Sequence, residues 1–124
     1  MKKTKFLLIL LFFLLTAGCT GSSKDEKIES LYSKSDDTYM IHLFYEYKTQ
    51  LDEELLSYMN SSDELLKIIN GIQVYDVDRK DNQSKIKSLD IDNFPTILVT
   101  NNKDIKLTTH DIEEVKLFFD NIVN

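Results

Sequence analysis

The sequence predicts a mixed α/β sandwich, in which a central four-stranded sheet carries helices on both faces. Three observations predict it. Strand-like and helix-like segments alternate from residue 38 to residue 89, a hairpin and an amphipathic helix close the chain, and residues 38–47 are apolar on both alternating sets. A strand apolar on both faces belongs in the middle of a covered sheet. The chain has 124 residues, enough for one domain and too few for a multidomain enzyme.

The first element is an address. Lys2, Lys3 and Lys5 precede FLLILLFFLL at residues 6–15, and Thr16, Ala17, Gly18 and Cys19 follow. A membrane-spanning helix needs roughly 20 apolar residues, so this run is too short to span and fits a secretory signal peptide. The exit L-T-A-G-C resembles a bacterial lipobox, with Thr16 where leucine is commoner. The resemblance implies that residues 1–18 are removed and that Cys19 becomes a lipidated N-terminus. A diacylglyceryl group supplies the two chains that stable anchoring requires. The expected location is therefore the bacterial cell membrane, lipid-anchored and facing outside the cytoplasm. Three lysines leave with the signal and no acid does, so 12 basic residues remain against 21 acidic ones, a charge of −9. An acidic body with no basic cluster is unsuited to nucleic acid. It is also mildly repelled by an anionic bilayer, which leaves the holding to the lipid.

The mature elements follow in order. Residues 19–27 comprise the lipidated cysteine and a small, polar, flexible tether, and the domain is expected over 28–124. Residues 25–34 suit a short helix, with Ile28, Leu31 and Tyr32 on one face. Strand 38–47 comes next. Helix 49–60 follows, with Thr49 and Asp52 as a capping box and Leu51, Leu55, Tyr58 and Met59 as its apolar stripe. Ser61-Ser62 interrupts it. Helix 63–70 is expected to end on an Asn70-Gly71 C-cap, before a second strand at 72–77. A short helix at 84–89, a turn at 90–93, strands at 96–100 and 105–108, and a helix at 111–122 complete the chain. Ile112, Val115, Phe118, Phe119 and Ile122 are expected to face inward.

This pattern resembles the thioredoxin-like fold, a three-layer sandwich, over residues 25–124. Leu89–Thr100, LDIDNFPTILVT, carries the resemblance most strongly, because Phe94-Pro95-Thr96 matches the family's cis-proline signature. Val74–Asp78 resembles the strand before it, and Val115–Val123 resembles the family's last helix. The family's additional first strand has no counterpart. Pro95 is the only proline and starts a strand, where its missing N–H is tolerated.

In the family a Cys-x-x-Cys pair follows the central strand. Here Lys48, Thr49, Gln50 and Leu51 occupy those positions, and the family's buried proton-shuttling acid falls near Leu43. Cys19 is the only cysteine. It lies at the lipidation site, so no thiol is left for disulfide exchange, and the mature domain is expected to be redox-inactive and not an enzyme. What the resemblance still implies is a peptide groove, lined by Tyr45, Tyr47, Phe94 and Pro95 beside Lys48, where exposed aromatics serve as anchors.

Other residues are read plainly. His42 is expected to be a satisfied core histidine, and His110 a solvated or capping one. The two lie far apart without thiolates and make a poor zinc site. Asp76–Asp81 resembles half a calcium loop but lacks its glycine and terminal glutamate. Glu53-Glu54 and Asp63-Glu64 suit helix starts, where acids favour the dipole. No metal and no cofactor is implied. The expected function is an extracytoplasmic module that binds a protein or peptide. Two alternatives stand beside it: an accessory or chaperone-like partner of an envelope redox or peptide-export system, and a small immunity or exclusion lipoprotein of a mobile element. The sequence leaves the oligomeric state open.

Overall fold

The structure, a computed structural model, describes residues 22–47 and 49–124. The expected signal peptide at 1–18, Cys19 and Lys48 lie outside the described residues. The elements run α1 (Ser22–Glu29), β1 (Tyr39–Tyr45), α2 (Leu51–Met59), α3 (Asp63–Ile68), β2 (Ile69–Asp76), α4 (Lys80–Ser88), β3 (Thr96–Thr100), β4 (Ile105–Thr109) and α5 (Ile112–Val123). The four strands form one sheet in the order β2-β1-β3-β4. β1 and β2 are parallel, while β1–β3 and β3–β4 are antiparallel. The architecture is the mixed four-stranded α/β sandwich that the alternation of elements predicts.

Two cores sandwich the sheet. On one face Ile41, Leu43, Ile97 and Val99 pack against Leu55, Leu65, Ile112, Val115 and Phe119 from α2, α3 and α5. On the other, Phe44, Tyr75 and Leu98 pack with Leu31, and Ile86, Leu89, Ile91 and Phe94 lie against them. β1 feeds both, as alternation along a doubly covered strand requires.

Several boundaries differ from expectation. α1 starts at Ser22, inside the stretch read as tether, and stops at Glu29. Leu31 is buried from a turn rather than from a helix face, its N–H donating to Ile28 O at 3.0 Å. The Asn70-Gly71 C-cap does not form. Ile69 is 97 % buried and pairs with Tyr39, so α3 passes directly into β2 and Gly71 pairs with Met40 inside the ladder. Burial of Ile69 wins over the local preference for a glycine stop. α4 begins at Lys80, four residues before the expected start, where the turn at Asp76–Arg79 delivers the chain. On α5 the expected inward residue Ile122 is 42 % exposed, and Val123 packs on the core instead.

His42 is the polar centre of the smaller core. A carbonyl can only accept, so Nε2, 2.7 Å from Leu31 O, carries the proton. Nδ1 lies 2.9 Å from the Tyr75 hydroxyl, whose single proton is also within reach of Gln73 Oε1 at 2.5 Å. Thr100 Oγ1 also donates to Leu31 O, at 2.7 Å. This is the satisfied core histidine that the sequence suggests. Burial pushes its pKa from 6.5 down to about 4; the Leu31 hydrogen bond opposes that shift and the charge of Lys85 adds to it. Burial also raises the Tyr75 hydroxyl to about 12.

Candidate functional site

The register of the sheet builds the site. Phe44 pairs with Thr96, so the chain leaving β1 meets the chain entering β3. Tyr45 and Tyr47 follow on one side of that junction, and Phe94 and Pro95 precede it on the other. The peptide bond between Phe94 and Pro95 is cis. Together with Glu46 and Thr49, these four residues line a surface cavity of about 270 Å³. The predicted groove residues thus come together although Tyr47 and Phe94 are 47 positions apart in sequence.

Each wall is held by something identifiable. Tyr45 ends β1, and its carbonyl accepts from Val77 N–H at 3.0 Å. Phe94 is half-buried against the Phe44–Leu98 core. Thr96 Oγ1 donates to Asn93 O at 2.5 Å, closing the turn before Pro95. His110 Nδ1 donates to Pro95 O at 2.8 Å and lies 3.2 Å from Thr96 Oγ1. His110 therefore pins the proline loop from the neighbouring connection between β4 and α5, a role that the sequence reading did not assign. No local signal could have found it, because the contact depends on β4 pairing beside β3.

Across the cavity, Tyr47 is 79 % exposed. A tyrosine that exposed makes little folding contact and presents nearly its whole ring to solvent. Of the positions where the redox motif would stand, Thr49 lines the cavity, Gln50 is exposed and Leu51 packs on the main core. Leu43 is fully buried in that same core. The expected capping box is replaced by a simpler contact. Gln50 takes the N-cap position without a side-chain bond, and Thr49 Oγ1 accepts from Leu51 N–H at 3.2 Å. Asp52 turns away, and its Oδ1 is buried with no hydrogen-bond partner.

Among the described residues, no group of three or more His, Cys, Asp or Glu side chains could hold a metal ion. At the calcium-like stretch, Asp76 Oδ1 accepts from Asp78 N–H at 2.9 Å and Arg79 pairs with Asp81 at 3.5 Å, which is the geometry of an exposed turn. No helix among the described residues is long and apolar enough to cross a membrane.

No family model and no curated protein matches this chain. Solved structures do. Thioredoxin O2 from Arabidopsis thaliana in the oxidized state is 10 % identical, with a TM-score of 0.57, over 83 % of this chain and 89 % of that one. A Malassezia sympodialis thioredoxin is 13 % identical, with a TM-score of 0.53, over 71 % of this chain and 77 % of that one. A designed protein reaches a TM-score of 0.58 at 14 % identity, over 81 % of this chain and 91 % of that one. At such identities the likeness shows the thioredoxin-like fold and nothing finer.

Proposed function

We propose that this protein is a redox-inactive thioredoxin-like lipoprotein, anchored outside the cytoplasm through Cys19, that acts as a protein or peptide interaction module. The observation that carries the reading is the cavity between Tyr47 and the Phe94–Pro95 turn, in a chain whose single cysteine stands at a lipobox. Disulfide exchange needs a thiolate nucleophile, and Lys48, Thr49, Gln50 and Leu51 supply none. An exposed aromatic facing a proline turn is instead suited to anchoring an extended segment, since aromatic side chains dominate binding energy at interfaces.

Crosslinking of the anchored protein in its own membranes tests the reading. A reproducible partner should be captured by the wild type and lost with Tyr47→Ala or Phe94→Ala. The same protein should show no insulin-disulfide reduction above blank, and Cys19→Ser should abolish lipid labelling. Clear reductase turnover, or capture indifferent to both aromatic substitutions, would overturn the proposal.

A further inference from the structure

β2 is an edge of the sheet, and among the described residues no strand pairs with its outer side. Backbone polar groups alternate along a strand, so one hydrogen bond fixes the phase of the whole edge. Val77 N–H donates to Tyr45 O, toward β1. Residues 71, 73 and 75 therefore also point their backbone groups at β1. Ile72 and Val74 point theirs outward, as does the N–H of Asp76, whose carbonyl is taken by Asn82 Nδ2 at 2.8 Å. Val74 is 45 % exposed at the centre of this stretch. An unpaired edge of this kind is a template for an added strand.

The surroundings specify what that strand should carry. The side chains of Val74 and Asp76 share one face of the sheet with the start of α2. There they line a cavity of about 390 Å³ together with Tyr45, Glu46, Asp52 and Glu53. Four of those residues are acids, and among the described residues neither lysine nor arginine lines the cavity. Asp52 Oδ1, in one of its walls, has no hydrogen-bond partner. Side chains of paired strands that stand opposite one another fall on the same face. A cationic side chain opposite Val74 or Asp76 would therefore enter this cavity.

We propose that the outer edge of β2 takes an added strand from a partner protein, one that places lysine or arginine opposite Val74 and Asp76. Main-chain hydrogen bonds to Ile72, Val74 and Asp76 supply the pairing, and the acidic cavity selects the basic side chain. This deepens the interaction-module reading and rests on it; its acidic cavity adjoins the Tyr47–Pro95 cavity and shares Tyr45, Glu46 and Thr49 with it, but the pairing edge of β2 belongs to neither Tyr47 nor the proline turn.

The test uses the full chain in neutral detergent and two short capped peptides, one alternating valine with lysine and the other valine with glutamate. Amide shifts and fluorescence anisotropy should show the lysine peptide binding about tenfold or more tightly than the glutamate peptide, with an advantage that shrinks as salt rises. The shifted amides should centre on Ile72–Asp76. Val74→Pro removes an N–H that the fold itself does not use, and an edge strand tolerates it. Binding should disappear in this variant. Should Val74→Pro fail to fold, Asp52→Asn with Glu53→Gln keeps side-chain size and should weaken the lysine peptide about tenfold. Tyr47→Ala should leave the affinity unchanged. Equal binding of both peptides, shifts centred on Phe94–Pro95, or indifference to both the proline and the amide variants would overturn the proposal. Partner capture that still depends on Tyr47 after such a result would leave the broader interaction reading standing.

Discussion

The two faces of the sheet bury similar side chains in different ways. Toward α2, α3 and α5 the interior is dry: Leu43, Leu55, Ile97, Val115 and Phe119 are each fully buried, with Tyr39, Phe118 and Phe119 in edge-on ring contacts at 5.1–5.7 Å. Toward α4 the interior is smaller and contains a hydrogen-bonded network. Phe44 stacks on Tyr75 at 4.5 Å, yet His42 and Thr100 tie the Leu31 carbonyl to the sheet, with Tyr75 beside His42. The difference teaches how a segment without a regular element can still be buried. Leu31 sits in a turn, so its carbonyl needs donors, and the face covering it supplies two.

The largest effect should break the dry face. Phe119→Ala removes a fully buried ring, and chemical denaturation should show a loss of about 3–5 kcal/mol. The polar face should respond to acid instead. The folded pKa of His42 lies below its unfolded value, so folding favours the neutral ring. That contribution is fully present above the unfolded value of 6.5 and is lost as pH falls through about 4. The loss over that window should be about 3 kcal/mol at most, read as the difference in acid sensitivity between the wild type and His42→Gln. Equal acid sensitivity of the two chains would refute the network's role. The smallest effect belongs to Thr100→Val. It takes one of two donors from Leu31 O while His42 keeps the other, and should cost about 1 kcal/mol in the same denaturation measurement.

Much of this was legible in the sequence because it was local. β3 spans Thr96–Thr100 as its β-branched, apolar run predicts, and the inner stripe of α5 follows from the spacing of Ile112, Val115 and Phe119. Where the reading failed, distant partners intervened. Ile69 entered β2 because Tyr39 pairs with it, overriding a glycine signal two residues later. One failure was local: the Thr49–Asp52 capping box gave way to a contact between Thr49 and the Leu51 amide, and Asp52 lines an acidic cavity. Tyr45, Tyr47 and Phe94, grouped from the sequence, line one cavity, whereas the contact of His110 with the proline loop beside them went unread.

The order of elements, the two-sided apolar character of β1 and the position of the single cysteine at residue 19 are properties of the amino-acid sequence alone. They rest on periodicity, composition and position, each of which acts within a few residues. Which strand became an edge, which aromatics faced Pro95 and which carboxylates gathered beside Val74 were decided only by the tertiary structure. Those outcomes depend on pairing register between segments far apart in the chain, and a one-residue slip in the register of β2 would have sent Val74 and Asp76 to the opposite face.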